Sequence, residues 1–230
     1  MHLLNKIAAC LVLAGLLPAV AVAESAAVIP DDTTAIYDSA EALLDAGPAS
    51  LLTERLAALD HLTADYRQEN LRDQEPQAGR VWVQRPGRFR IEADAPLSQT
   101  IVSDGETLWT WDRDLEQVIV SDLTGEITEL PILLFAGDPA AIAGRYAIDR
   151  FEDGTSEYFT LHPLDTEGLL KTVTLVFQAG LPTRIAIETR MDEQTYIQLL
   201  NVTRTPAEPA VFQLALPPET DVIDDRAPAT

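Results

Sequence analysis

The sequence has 230 residues, of which 37 are acidic and 16 are basic, so the formal net charge is −21 at pH 7. Such a chain lacks the basic surface that binding to phosphates requires, and we expect it to bind no nucleic acid. An anionic membrane surface should repel it as well. The only cysteine, Cys10, lies in the first apolar segment, so a disulfide is not expected to stabilise the fold.

The N-terminus has the features of a secretory signal peptide. Lys6 precedes an apolar run over residues 7–20, and residues 21–23, Ala-Val-Ala, provide a cleavage site of the small-x-small type. The run is too short for a typical transmembrane span, and acidic sequence follows it closely. We therefore expect residues 1–23 to be a signal peptide that directs export to the periplasm.

The next two segments are an acidic extension and the start of the folded domain. Residues 24–48 are rich in acidic residues and alanine, which predicts a mobile extension, and the domain proper is expected at 49–230. Leu52, Leu56 and Leu59 recur at helical spacing after Ser50, which can cap a helix. This pattern predicts an amphipathic helix at about residues 50–60.

Alternating polar and apolar residues predict antiparallel strands over most of the remaining chain. The segment 88–94, Arg-Phe-Arg-Ile-Glu-Ala-Asp, has one apolar and one polar side. Asp104-Gly105 lies between two apolar segments, which predicts a hairpin with a type I′ turn. Strands are predicted at about residues 62–72, 78–85, 88–94, 98–103, 107–112, 116–121, 146–151, 157–162, 171–178, 182–190 and 195–203.

A break in the strand pattern predicts helices at about residues 131–144. The segment 130–137 is apolar on every side, with Pro131 at its start and Gly137 at its end, and Asp138 with Pro139 can begin a second helix. The strands taken in sequence predict one long antiparallel β-meander. Such a sheet curls because its strands twist, and an unclosed barrel leaves an apolar concave face that must be covered. The predicted fold is α+β: an incomplete antiparallel β-barrel covered by a lid of short helices, residues 50–60 and 131–144.

Two motifs in the predicted sheet resemble those of a known family. Residues 82–89 contain W-V-x-R-P-x-x-F, and residues 102–109 contain V-S-D-G-x-x-L-W. Both patterns are similar to those of the LolA family, the outer-membrane lipoprotein carriers, and the similarity extends from about Leu51 to Asp225. This resemblance implies a half-barrel whose helical lid closes a cavity for acyl chains. It further implies a monomeric periplasmic carrier that takes acylated lipoproteins from an inner-membrane ABC transporter and delivers them to an outer-membrane receptor.

Arg85 is the candidate for a latch on the lid. By the two-residue period it shares one side of its strand with apolar residues, and a buried guanidinium requires acceptors such as the carbonyls at a helix C-terminus. The resemblance implies that Arg85 holds the lid shut when the cavity is empty, with carbonyls near Leu56 and near Phe135 and Ala136 as its partners. The alternative is an arginine at the protein surface, paired with a nearby acid.

The candidate lining of the cavity comes from strands and from the second lid segment. Inward strand positions follow from the two-residue period, and a helix that is apolar on every side either is deeply buried or closes an apolar pocket. A tryptophan in a strand is more often part of a core, but Trp109 is included in the expected lining of the cavity. The expected lining is Val81, Val83, Phe89, Ile91, Trp109, Leu133 and Leu134.

The sequence gives no support for catalysis, a cofactor or a metal site. Beyond the signal peptide the histidines are His61 and His162, which match no metal-binding spacing, and Ser103 precedes a tight turn and not a nucleophile elbow. We therefore expect a protein that is not an enzyme.

Two other functions remain open at this point. Residues 7–10, Ile-Ala-Ala-Cys, resemble a lipobox, which would favour the lipid-anchored outer-membrane receptor of the same fold, LolB. A lipobox cysteine follows the hydrophobic run, however, whereas Cys10 lies near its start. The other alternative is a periplasmic regulatory lipid sensor of the RseB type, which would need a second domain that we do not expect here.

Overall fold

The computed structural model describes residues 47–70, 76–123 and 131–226. The predicted signal peptide and nearly all of the 24–48 extension lie outside the described residues. Within the described ranges, no helix is long and apolar enough to cross a membrane. No group of histidine, cysteine and acidic side chains in the same ranges could hold a metal ion.

The described residues form one sheet of twelve strands with three short helices and one 3-10 helix. The strands are β1 His61–Asn70, β2 Gln77–Gln84, β3 Arg88–Ala93, β4 Gln99–Asp104, β5 Thr107–Asp112, β6 Gln117–Asp122, β7 Tyr146–Asp153, β8 Ser156–Pro163, β9 Leu170–Gln178, β10 Leu181–Thr189, β11 Gln194–Thr203 and β12 Asp221–Asp224. The helices are α1 Pro48–Ala57, α2 Leu133–Ala136 and α3 Pro139–Ala143, and the 3-10 helix is Pro209–Phe212.

The order of the strands separates two meanders. The sheet reads β12-β6-β5-β4-β3-β2-β1-β11-β10-β9-β8-β7, so β1 joins the first meander to the second through antiparallel pairing with β11. The single long meander expected from the sequence is therefore wrong. The chain has to pass from β6 in one half to β7 at the far edge, and residues 123–145, which carry α2 and α3, make that connection. The prediction of an unclosed half-barrel with a helical lid is confirmed.

The helix α1 begins and ends earlier than the sequence predicted. It has Pro48 in its first turn, where a missing N–H does no harm, and it ends at Ala57. Leu52 and Leu56 on its inner side are fully buried. Leu59 is also buried, but it lies in the turn before β1 and not in the helix. Its helical spacing from Leu56 arises because the helix and this turn both contribute a leucine to the same core.

The convex face of the first meander is covered by the C-terminal segment, residues 204–220. The guanidinium of Arg90 on β3 donates to the carbonyls of Val211 and Gln213, at 3.2 and 3.3 Å. Phe212 is buried there, in a depression of the outer face that Trp109 also lines. After this segment, β12 pairs in parallel with β6. The sequence pattern did not predict β12.

Two tight turns meet at one end of the sheet. The turn at residues 85–87 places Gly87 at a φ of +66°, and a Cβ there would lie 2.7 Å from the Cα of Gly105. The hairpin at Asp104-Gly105 forms, but not as the expected type I′ turn, because Asp104 belongs to β4 and Gly105 alone has a positive φ there. Asp104 instead accepts hydrogen bonds from the N–H groups of Glu106 and Thr107, at 2.9 and 2.8 Å.

We expect Gly87→Ala to destabilise the protein more than Gly154→Ala. Both glycines have a positive φ, which costs a residue with a Cβ about 1–2 kcal/mol. A Cβ at Gly154 has open space around it, whereas a Cβ at Gly87 would collide with backbone. Urea unfolding should therefore show a loss of about 1 kcal/mol for Gly154→Ala and at least about twice that for Gly87→Ala. Equal losses would show that the close approach of the two turns is unimportant.

Candidate functional site: an apolar cavity beneath the helical lid

A cavity of about 190 Å³ lies between the concave face of the sheet and the lid. Both meanders contribute to its wall, since β2, β3 and β4 face β10 and β11 across the curled sheet. The sheet residues at its centre are Val81, Ile91, Ile101, Ile185, Ile197 and Leu199, and Pro131, Ile132 and Phe135 cover them from the lid. Tyr66, Ala93, Leu97 and three glutamines complete the wall, so no described residue that lines the cavity carries a charge.

The predicted lining residues fall into three groups. Val81 and Ile91 lie on the cavity wall. Val83, Phe89 and Leu134 are buried in the apolar cluster next to the cavity and do not reach its surface, and Leu133 packs against that cluster while half-exposed.

Trp109 lies on the opposite side of the sheet from the cavity. It pairs with Val102 and Val120, whereas Ile101 and its partner Thr110 belong to the concave face. The expectation that Trp109 lines the cavity is therefore not met. The C-terminal segment, which sequence reasoning did not place, gives this tryptophan its apolar neighbours on the convex face.

The contribution of β10 and β11 to the wall was missed by the sequence analysis. Their two-residue alternation is clear, with Ile185 and Ile187 on one side of β10 and Ile197 and Leu199 on one side of β11. This alternation identifies the inward side of each strand. It does not predict that these inward residues lie across the cavity from Val81. Their position opposite Val81 follows from the pairing of β1 with β11, which joins residues far apart in the chain.

Arg85 reaches the underside of α1. Its side chain is 9% exposed, and its Nη2 donates to the carbonyl of Leu56 in the last turn of the helix. Its Nε and Nη1 have no hydrogen-bond partner among the described residues, and the nearest carboxylate, Asp60, is 4.0 Å from Nε. Burial lowers the pKa of Arg85, and Asp60 and Asp138 oppose that effect. The group remains a cation, because arginine does not lose its proton in proteins.

The second lid segment is bound by the backbone of the same turn. The carbonyl of Ala136, which was expected to accept from Arg85, accepts instead from the N–H of Gly87 at 2.9 Å. The backbone N–H of Arg85 donates to the carbonyl of Asp60 at 3.0 Å. Residues 85–87 therefore contact both parts of the lid, with the arginine side chain on α1 and the glycine backbone on α2.

A second polar contact fastens α1 to the other half of the sheet. Arg55 on α1 donates from Nε and Nη2 to the two carboxylate oxygens of Glu157 on β8, at 2.8 and 3.2 Å. Arg150 on β7 donates to the same carboxylate at 2.8 Å. The hydrogen bond from Arg55 is the main reason that the pKa of Glu157 lies below its ordinary value, and Arg150 adds to the effect. Sequence reasoning missed this ion pair, whose partners are 102 positions apart.

Comparisons with known proteins identify the family. The sequence model described as LolA, outer membrane lipoprotein carrier protein, matches residues 57–215. An outer-membrane lipoprotein carrier protein of Pseudomonas paraeruginosa is 34% identical over 187 residues, covering 79% of this chain and 89% of that protein. One of Chromohalobacter salexigens is 31% identical over 183 residues, covering 77% and 87%. This chain belongs to the LolA family.

A solved structure supports the fold of this LolA-family chain. An uncharacterized conserved protein of Thermus thermophilus has a TM-score of 0.51 with 14% identity, covering 81% of this chain and 99% of that one. In the chain described here, the two LolA-like motifs of the sequence meet in space, because Gly87 lies against Gly105. The motif that contains Arg85 is thus positioned by the hairpin of the other motif.

We expect Glu157→Gln to lower the free energy of unfolding by about 1–2 kcal/mol at pH 7, because it removes a charged acceptor from a partly buried pair. The folded-state pKa of Glu157 lies below the unfolded value, so its contribution is present above a pH of about 4.5 and is lost as the pH falls further. The difference between wild type and variant in urea unfolding should therefore shrink below that pH.

The matched control for this prediction is Glu152→Gln. Glu152 also binds Arg150, but it is more than half exposed and makes no hydrogen bond to α1 among the described residues. It should change stability by less than about 1 kcal/mol. If the two variants lose the same stability at pH 7, the contact of Glu157 with α1 has no special importance.

Proposed function

We propose that this protein is a periplasmic carrier of acylated lipoproteins that holds their acyl chains in the cavity beneath the lid. The observation that carries the proposal is the wall of that cavity, which has no charged group among its described residues although the chain has a net charge of −21. Each buried methylene contributes about 0.8 kcal/mol, so lipid chains cannot cross water at a useful rate without such a cover. The names of the relatives, outer-membrane lipoprotein carrier proteins, support the same function.

The size of the cavity requires the lid to move when cargo binds. Its volume of about 190 Å³ is below the range of about 300–1,000 Å³ that ligand pockets usually have. Ile132, the N-cap of α2, and Phe135 within α2 fill the concave face. Their displacement can make the space that several acyl chains need. The enclosed arrangement therefore corresponds to the empty carrier.

Arg85 is the group that links lid closure to the state of the cavity. In the empty form it donates to the Leu56 carbonyl, which favours the closed lid. The contact is incomplete, since two of its nitrogens have no partner among the described residues, so it contributes little net stability. A weak latch fits a carrier that must open to load and close again after it has delivered.

The proposed route has a donor and an acceptor. The protein, acting as a monomer, takes lipoprotein from an inner-membrane ABC transporter and passes it to an outer-membrane receptor. Transfer in that direction requires that the carrier hold the chains less tightly than the receptor does. The tendency of the lid to close on Arg85 lowers the affinity for cargo by competing with it for the concave face.

The function is tested by incubating the mature protein with spheroplasts and then with outer-membrane vesicles that bear the receptor. Wild type should release lipoprotein as a one-to-one complex and then transfer it. The Arg85→Leu variant should accept cargo at least as well as wild type, because leucine adds apolar surface beneath the lid. Transfer of lipoprotein to the vesicles should fall several-fold, because closure of the lid no longer drives release of the cargo. Its melting temperature should stay close to that of wild type, which would show that the variant is folded.

Arg80→Leu is the matched control, because Arg80 is on the same strand but is exposed and packs on Trp82 on the outer face. It should leave both steps unchanged. Opposite changes in uptake and transfer for Arg85→Leu cannot arise from a loss of folding. Absence of any lipoprotein release by wild type would contradict the carrier function, whereas two unchanged steps for Arg85→Leu would remove only the latch.

A further inference from the structure

Three glutamine side chains line one end of the cavity. Gln68 on β1 lies directly opposite Gln77 on β2, and Gln99 is the inward residue of β4 that precedes Ile101 by two positions. Opposed residues of an antiparallel pair have Cβ atoms about 4.5–5.5 Å apart, so the first two amides lie side by side. We call Gln68, Gln77 and Gln99 the amide rim.

The amide rim is at the solvent end of a gradient of polarity. The inward positions of β1 are Leu62, Ala64, Tyr66 and Gln68, of which the first three are buried and the last is half-buried. The rim lies at the end of β2 remote from Arg85, because Gln77 begins the strand that leads to that turn. A bound amphiphile would therefore lie with its chain ends toward Arg85 and its polar linker at the rim.

The described side chains that line the cavity at the rim carry no charge. Burial, with a smaller effect of Asp94, raises the pKa of Tyr66 to about 12, so this phenol stays neutral in the physiological range. None of the lining residues that the structure describes is a lysine or an arginine. An anion placed at the rim would lose water without gaining a cation, which is strongly unfavourable.

The rim amides are available for a ligand. Within the described ranges, no hydrogen bond joins any of the three side chains to another residue. A glutamine amide offers two N–H donors and one carbonyl acceptor. It can therefore donate to an ester carbonyl and can also accept from the N–H of a secondary amide.

We propose that the amide rim binds the uncharged ester and amide groups of an acylated cysteine and thereby selects this ligand over phospholipids, whose esters lead directly to a phosphate. The inference rests on the proposed function, because it presupposes that acyl chains occupy the cavity. It adds a second basis for selection beside the apolar wall. When the two lipids carry the same number of long chains, chain burial is the same for both, and the linker decides between them.

The test compares two lipids of equal chain length on the mature protein. One is an N-acetyl, S-diacylglyceryl cysteine amide, which is uncharged and has two long chains, and the other is phosphatidylglycerol, which also has two, both in a neutral detergent. Binding is measured as displacement of a neutral fluorescent dye from the cavity. Wild type should bind the acylated cysteine at least about ten-fold more tightly than phosphatidylglycerol, because the phosphate lacks a partner.

Substitutions in the rim separate its hydrogen bonds to the acylated cysteine from its lack of a cation for the phosphate. Gln99→Met and Gln68→Met keep the length of the side chain and should each weaken binding of the acylated cysteine about five-fold, by loss of a hydrogen bond. Gln99→Lys and Gln68→Lys should each tighten phosphatidylglycerol about ten-fold, because the ammonium pairs with the phosphate. Gln198→Lys is the control, since Gln198 lies on the outer face of β11 and receives the same charge.

The outcomes distinguish this inference from the proposed function. If wild type binds both lipids equally, or if Gln198→Lys acts like the two rim lysines, the rim does not select and the inference is wrong, although the carrier function stands. If neither lipid displaces the dye, the proposed function and the inference fail together. Selective wild-type binding with a gain confined to the rim lysines establishes the rim as the site of selection.

Discussion

The pairing of β1 with β11 is the constraint on which the rest of the structure depends. It places β6 in one half of the open sheet and β7 at the edge of the other. The chain must then cross the concave face between these strands, and the crossing segment carries α2 and α3. A half-barrel needs its apolar concave face covered, and here the required connection is itself the cover. The lid is therefore part of the topology and not an addition to a finished barrel.

Buried apolar side chains make up much of the contact between the lid and the sheet. Phe135 and Leu134 are fully buried, and they bury the same kind of surface that an acyl chain would bury. In the carrier function proposed above, cargo would therefore compete with the lid for the concave face. The hydrogen bonds from residues 85–87 and the Arg55–Glu157 pair set the position of the lid without making its closure irreversible.

Local features of this fold could be predicted from the sequence, and long-range ones could not. The strands that were predicted lie within about two residues of their observed bounds, because alternation and turn residues are local signals. The pairing of β1 with β11, the strand β12 and the Arg55–Glu157 pair depend on contacts between distant segments. Val81 and Ile91, which periodicity assigns to the inward side of their strands, lie on the cavity wall. Trp109 was wrongly expected in the cavity. Alternation identifies the apolar side of a strand, but it does not reveal whether the lid or the C-terminal segment covers that side.

The position of the tryptophans determines what optical spectroscopy can report on this protein. Trp82 and Trp111 line the same depression of the convex face, beside Val211, and Trp109 lies against Phe212. All three indole rings are therefore separated from the cavity by the thickness of the sheet. Their emission will follow attachment of the C-terminal segment to the outer face and will be nearly blind to lipid entering on the other side. An indole that senses loading would have to be introduced on the lid.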